Sequence, residues 1–179
     1  MNLFLGPTHD LSFLYDDSEA IRVSSQEIAT FIMQDEIVAV YNGRSEAGPR
    51  ALGNRSILYD PRDNCTKETI NKVKKREHFR PFAAAVLREH AEEWFDMSGL
   101  NRSPTMSYAV HTREDKRELI PGVVHIDGTC RVQTVEQDIP HLYEVIEEFY
   151  KYTTVSYTHL RAHETPEHLV FRRVLEKKK

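Results

Sequence analysis

The residues best equipped for chemistry in this chain lie between Tyr41 and Asp63, in the stretch YNGRSEAGPRALGNRSILYDPRD. Arg44, Arg50, Arg55 and Arg62 alternate there with Gly43, Gly48 and Gly53 around Pro49, and Arg80 follows downstream. A guanidinium is a planar fork that matches the paired oxygens of a phosphate or carboxylate. Glycine lets the backbone approach a ligand closely. Together they describe a loop that holds an anion; the competing reading is a solvated basic turn. The flanks favour the anion. An apolar run, Ile37–Tyr41, leads in and another, Ser56–Tyr59, leads out, the setting in which α/β proteins place ligands. A second basic cluster comprises Lys72, Lys74, Lys75 and Arg76. It falls in the last turn of an expected helix, where cations suit the helix dipole, so C-terminal capping competes with ligand binding there. In a third segment, His125 to Arg131, alternation along an extended chain would aim His125, Asp127 and Arg131 the same way. A hydrogen-bonded His125–Asp127 pair at a strand end is the alternative, and Asp127 also suits a shared Mg²⁺, which often takes one or two carboxylates beside phosphate oxygens.

Periodicity supplies the elements that must position these groups. Ser24-Ser25-Gln26-Glu27 is a capping box, and Ile28, Phe31 and Ile32 continue at helical spacing, predicting a helix over 25–34. Ile37–Tyr41 and Ser56–Tyr59 read as strands, the second stopped by Asp60-Pro61. A polar helix over 66–75 turns Ile70 and Val73 inward. FAAAVL (82–87) reads as a small-residue strand, and 88–95 as a short helix burying Trp94 and Phe95. Further strands are predicted over 106–110, 122–126 and 129–135. Leu142, Val145, Ile146, Phe149 and Tyr150 form an amphipathic stripe on a helix over 139–152; that stripe is core packing and carries no chemistry.

The 179 residues suit one domain, and 40% hydrophobic with 29% charged residues is ordinary for a soluble globular protein. A net charge of −4 argues against a general nucleic-acid or membrane-surface binder, so any anion site must be a local arginine cluster taking a small phosphorylated ligand. Cys65 and Cys130 lack paired spacing and read as reduced thiols of a cytoplasmic protein. No run reaches transmembrane length, and MNLFLGPTHD lacks the features of a signal peptide.

The segments GPRALGNRSIL, DPRD, VKKREHFRPFAAAV and HIDGTCRVQTV, in that order, resemble the C-terminal domain of the O-carbamoyltransferases, the family of nodulation proteins and antibiotic-carbamoylating enzymes. The resemblance covers residues 3–154 and implies an α/β, YrdC-like fold: a twisted mixed sheet flanked by helices, here incomplete at its C-terminal end. Domains of this kind use a Lys-x-Arg, matched by Lys74-Lys75-Arg76, and a later Ser-x-Asn within an Asn-Thr-Ser-Phe-Asn segment that nothing here matches. The implied reaction joins carbamoyl phosphate and ATP into carbamoyl adenylate and pyrophosphate. Lys74 and Arg76 are then the catalytic pair at the α-phosphate and carbamoyl oxygens, and Arg44, Arg50 and Arg55 cradle polyphosphate. Arg80, His125, Asp127 and Arg131 complete the pocket. Mg²⁺ would accompany ATP. Fe²⁺ and the hydroxyl acceptor belong to a larger N-terminal domain that the resemblance places outside this chain, so the chain alone is expected to be an inactive fragment of the transferase. Ser45, Ala47, His78 and Ala84 depart from the family pattern and put the pocket's shape in question.

Residues 155–179 are read separately. The segment resembles translated sequencing-adapter or vector sequence, not the family, and Pro166 and its polar character suit neither a buried strand nor a phosphate clamp. His159 and His163 are four apart, but no acidic partner shares their face, so no metal is expected there. A module that binds nucleotides or double-stranded RNA without catalysis is the alternative function, with the negative charge counting against RNA.

Overall fold

The computed structural model describes Gly6, residues 22–46 and 50–155, and the backbone of 157–161. Helix α1, Ser25–Met33, opens as expected: Ser24 caps Glu27 N–H and the Glu27 carboxylate returns to Ser24 N–H at 2.8 Å. Strands β1 (Val38–Tyr41) and β2 (Arg55–Tyr59) pair antiparallel across the Gly/Arg loop. Helix α2, Thr66–Val73, follows the Asp60-Pro61 turn, where Arg62 and Asp60 form an ion pair of 2.5 Å. Then come β3 (Ala83–Leu87), a 3₁₀ turn, the short α3 (Ala91–Trp94), β4 (Phe95–Asp96), β5 (Ala109–Thr112), a second 3₁₀ segment, β6 (Thr129–Val135) and α4 (Pro140–Thr153). The last described strand is β7, Tyr157–Arg161.

These strands form a mixed sheet of order β1-β2-β7-β3-β6-β5-β4, in which β3 and β6 are parallel and the other neighbours antiparallel. The parallel pair is the most apolar part: Ala83 to Leu87 are all buried, as Val132 and Val135 are, as a strand covered on both faces requires. Helix α4 presents Leu142, Val145, Ile146 and Phe149 to the core, all buried, each side chain contributing about 1.5–3 kcal/mol of transfer free energy. It packs beside α1, to which it is tied by Ser25 Oγ donating to Glu144 at 2.9 Å. A smaller cluster of Tyr59, Ile70 and Phe82 seats α2 against the sheet.

Two expected strands changed. The 106–110 segment enters the sheet only at Ala109. Residues 122–126 are not a strand: Gly122 N–H goes to Pro61 O (3.1 Å), and His125 N–H to Thr129 O (2.7 Å), closing a turn. Val123 is buried, but in a loop whose backbone is satisfied by turn contacts, so hydrophobicity alone pointed the wrong way. The tail also differs from expectation. Residues 157–161 occupy the slot between β2 and β3, paired antiparallel with both. A sheet slot is recognised by backbone donors and acceptors, and Tyr-Thr-His supplies aromatic and β-branched residues of ordinary strand propensity. Pro166 and His163 lie outside the described residues.

Candidate functional site

The Gly/Arg loop is built on one buried carboxylate. Glu46 is 4% exposed, and its Oε1 accepts the backbone N–H groups of Leu52 (2.9 Å), Asn54 (2.8 Å) and Arg55 (3.1 Å). Its Oε2 is buried with no hydrogen-bond partner. Arg55 locks the other side of the loop. Its guanidinium donates to the carbonyls of Asn42 (2.5 Å), Gly43 (2.9 Å) and Asn54 (3.0 Å) and lies 3.5 Å over the Tyr41 ring. An arginine expected to cradle polyphosphate is thus spent on its own backbone, because the tight loop leaves carbonyls that β1 and β2 cannot pair. Gly53, at φ +121°, brings the loop against α4; a Cβ there would stand 2.9 Å from Leu142 Cδ2. Its N–H donates to Ser56 Oγ (2.9 Å) and its carbonyl accepts from His141 Nε2 (3.0 Å). Burial pushes the His141 imidazole below its ordinary pKa, which keeps it neutral beside α4's first turn. From the sheet, Gln133 Nε2 donates to Leu52 O at 3.0 Å, while Gln133 Oε1 is buried without a partner.

Against this frame stand Arg50 and Arg131. Arg131 sits near the start of β6, in register with Ala83 on one side and Ala109 on the other, so small side chains flank it. Its guanidinium is held below the ordinary arginine range first by burial and second by the charge of Arg50. Two half-buried like charges face one another, and among the described residues neither has an ion pair or a side-chain hydrogen bond. That arrangement raises the energy of the empty site and lowers it when an anion enters. Arg44 is exposed and donates from Nε to Gly6 O at 2.7 Å.

The second basic segment is held by Asn71. Helix α2 ends in a Schellman turn: Lys75 N–H goes to Lys72 O (3.1 Å) and Arg76 N–H to Asn71 O (3.1 Å), with Lys75 left-handed at φ +50°. Asn71 is fully buried; its Nδ2 donates to His78 O (2.8 Å) and Arg80 O (3.1 Å), and its Oδ1 accepts from Arg76 Nε. Arg76 lies 4.5 Å over the Phe82 ring, with Nη2 buried and unpartnered. Arg80 is half exposed and pairs with Glu77 at 2.7 Å. Lys74 stands at the cap of α2.

His125 and Asp127 lie in the turn before β6, not on a strand. Asp127 Oδ1 accepts from Thr129 N–H (2.9 Å) and Oγ1 (2.7 Å), which draw its carboxyl below the usual range. His125 contacts Thr129 Oγ1 (3.1 Å) and Phe82 O (3.1 Å), the latter as donor from Nε2. These two residues therefore pin the β6 entry to the start of β3 instead of sharing a strand face with Arg131. Among the described residues no group of three or more His, Cys, Asp and Glu forms a metal cage, and no helix is long and apolar enough to cross a membrane. Cys65 is an exposed free thiol, and burial raises the free Cys130 thiol to about 12.

The structure brings Arg131 into the electrostatic reach of Arg50 and joins β6 to the Glu46 loop through Gln133 and Leu52, and it holds Arg76 on Asn71 at the end of α2, with Lys74 at the cap. Glu46, Asn71, Gln133 and His141 do the positioning, and the arginine pattern pointed to none of them. Gln133 had a signal: it follows Arg131 by two, so strand alternation puts both on one face. Asn71 adjoins the inward residue Ile70, a polar group where an apolar one was expected.

The carbamoyltransferase C-terminus family matches residues 29–160 of this chain. The chain is 49% identical over 130 residues to nodulation protein NolNO of Sinorhizobium fredii and 44% identical over 130 residues to nodulation protein NolO of Bradyrhizobium diazoefficiens. It is 43% identical over 127 residues to an uncharacterized protein of Methanocaldococcus jannaschii. Each alignment covers 70–71% of this chain but 19–24% of the relative, so the chain spans about a fifth to a quarter of the length of these proteins.

Proposed function

This chain belongs to the carbamoyltransferase C-terminal family, and from that premise we propose that it binds carbamoyl phosphate and ATP, from which the complete domain prepares a carbamoyl group for transfer to a hydroxyl. The observation that carries the reading is the Arg50–Arg131 pair, two half-buried guanidinium groups that form no ion pair among the described residues. A phosphoryl group supplies the missing negative charge, and arginine forks suit its oxygens.

The chemistry must balance. Water first cleaves carbamoyl phosphate to carbamate and phosphate. A carbamate oxygen then attacks the α-phosphorus of ATP and displaces pyrophosphate, leaving carbamoyl adenylate. Both steps need charge stabilisation in a preorganised site more than covalent help. Arg50 and Arg131 supply it on the Glu46 frame, and Lys74 and Arg76, at the end of α2, supply it for the nucleotide. Mg²⁺ would be carried chiefly by the ATP phosphates, because Asp127 already accepts twice from Thr129. Transfer to the acceptor falls to a further domain.

Calorimetric titration with carbamoyl phosphate and with ATP tests the reading. Arg131→Ala should weaken carbamoyl phosphate binding by about 1.5–3 kcal/mol, the range of a charged hydrogen bond; unchanged affinity would remove Arg131 from the site. Pyrophosphate release should stay at background for this chain, since β7 reads Tyr-Thr-His-Leu-Arg and carries no Ser-x-Asn. Clear turnover would show that the second half of the site lies elsewhere.

A further inference from the structure

The two arginines are not the only unmet groups near the loop. Among the described residues, Glu46 Oε2 and Gln133 Oε1 are both buried acceptor oxygens without a partner. Both side chains grip the same residue: Glu46 accepts Leu52 N–H at 2.9 Å and Gln133 donates to Leu52 O at 3.0 Å. Leu52 follows Arg50 by two residues, and Gln133 follows Arg131 by two. The Gln133–Leu52 bond thus joins the loop to β6 two residues beyond each arginine. Two residues of strand advance about 6.6 Å, which admits a one-carbon acyl group beside a phosphoryl group and nothing much longer.

Buried polar atoms are nearly always satisfied, and the two that lie on side chains gripping Leu52 are both acceptors. Their complement is a donor with two hydrogens and no negative charge, a description that the primary amide nitrogen of a carbamoyl group meets. A methyl group offers no hydrogen, and a carboxylate oxygen would meet Glu46 with like charge. We propose that Glu46 Oε2 and Gln133 Oε1 form an amino-recognition subsite that takes the NH₂ of a carbamoyl group whose phosphate lies on Arg50 and Arg131. The subsite rests on the functional reading above and adds the group that selects carbamoyl over other acyl phosphates. Nitrogen recognition comes from acceptors and phosphate recognition from cations, so the two are separable by substitution.

The test compares carbamoyl phosphate, acetyl phosphate and inorganic phosphate by calorimetric titration. The wild-type chain should bind carbamoyl phosphate roughly tenfold more tightly than acetyl phosphate, the worth of one or two net hydrogen bonds. Glu46→Gln keeps the oxygen that holds the loop but puts an NH₂ where Oε2 stands. It should abolish the preference for carbamoyl over acetyl phosphate, whatever it does to the affinity that all three ligands share. Gln133→Met should also remove the preference. Equal wild-type affinity for the two acyl phosphates overturns the subsite outright, whatever the variants do. Uniform weakening of all three ligands in Glu46→Gln, with the protein folded by circular dichroism, would assign Glu46 a structural role alone and overturn it too. If none of the three phosphates binds, the functional reading fails together with the subsite. If phosphates bind without discrimination, the subsite fails alone.

Discussion

Two basic segments of this protein are built on the same plan and reach different ends. In the Gly/Arg loop, one buried acid, Glu46, gathers three backbone N–H groups. In the segment after α2, one buried amide, Asn71, gathers two carbonyls and an arginine Nε. The acid frame leaves a cation less engaged: Arg131 feels the charge of Arg50, and among the described residues neither has an ion pair. The amide frame engages its arginines more fully: Arg76 is stacked on Phe82 and bonded to Asn71 through Nε, and Arg80 is paired with Glu77. A cluster of arginines in a sequence is therefore no measure of free positive charge. What matters is whether carbonyls, rings and carboxylates are within reach, as they are for Arg55 even in the first frame.

The largest effects should come from removing the two hubs. Glu46→Ala leaves three N–H groups of Leu52, Asn54 and Arg55 without their acceptor, and a buried unsatisfied donor costs about 1–3 kcal/mol. A loss of roughly 3 kcal/mol in urea unfolding is expected, since the costs do not add fully. Phosphate binding should disappear with it. Asn71→Ala strands fewer groups and should cost about 2 kcal/mol, with phosphate affinity reduced less than in Glu46→Ala because Arg50 and Arg131 stay in place. Equal loss of phosphate affinity in the two variants would mean that the frames act as one site.

How much of this was readable in advance differs between the frames for a physical reason. The stripe Leu142, Val145, Ile146 and Phe149 fixed α4 by its period, and Ser24-x-x-Glu27 fixed the start of α1; both are local signals that tertiary contacts reinforce. The GVVHI run did not reveal its loop, because burial of Val123 satisfies a hydrophobic pattern as well as a strand would. The arginines suggest an anion site by their type and spacing, but their separation into engaged and less engaged ones depends on contacts far apart in sequence. Arg55 is bonded to Asn42, and Arg131 feels Arg50. Neither pairing has a spacing rule.

His141 offers a smaller and pH-dependent probe of the first frame. Its imidazole is depressed below 6.5 by burial, while the carbonyl of Gly53 and the charges of Glu46 and Glu144 act in the opposite sense. A depressed base binds fewer protons folded than unfolded between its two pKa values. Stability contributed by the neutral ring is thus complete above 6.5 and is lost as pH falls from there toward the folded pKa. The slope can reach at most about 1.4 kcal/mol per pH unit for one proton. Urea unfolding of wild type and His141→Gln between neutral and mildly acidic pH should show the variant with the flatter dependence. Parallel curves would mean that His141 is not the titrating group.

The smallest expected effect concerns the backbone, where the two frames again part. The acid frame places glycines at its left-handed positions, Gly43 at φ +47° and Gly53 at φ +121°. The amide frame places Lys75 at φ +50°, at the helix position where glycine is the usual resident. A side chain there crowds the following carbonyl and costs roughly 1–2 kcal/mol. Glycine removes that strain but also gains freedom in the unfolded chain, which returns about 0.4–1 kcal/mol of the benefit. Lys75→Gly should therefore stabilise the protein by about 0.5 kcal/mol, the difference of those two effects. The Lys75 side chain is exposed, so no packing is lost. Binding of inorganic phosphate should not change, because Arg50 and Arg131 belong to the other frame. A drop in phosphate affinity would show that the Lys75 charge reaches the arginine site and that the two frames share one electrostatic field. A loss of stability would mean that the lysine holds the end of α2 through its charge at the helix C-terminus more strongly than its backbone strains it.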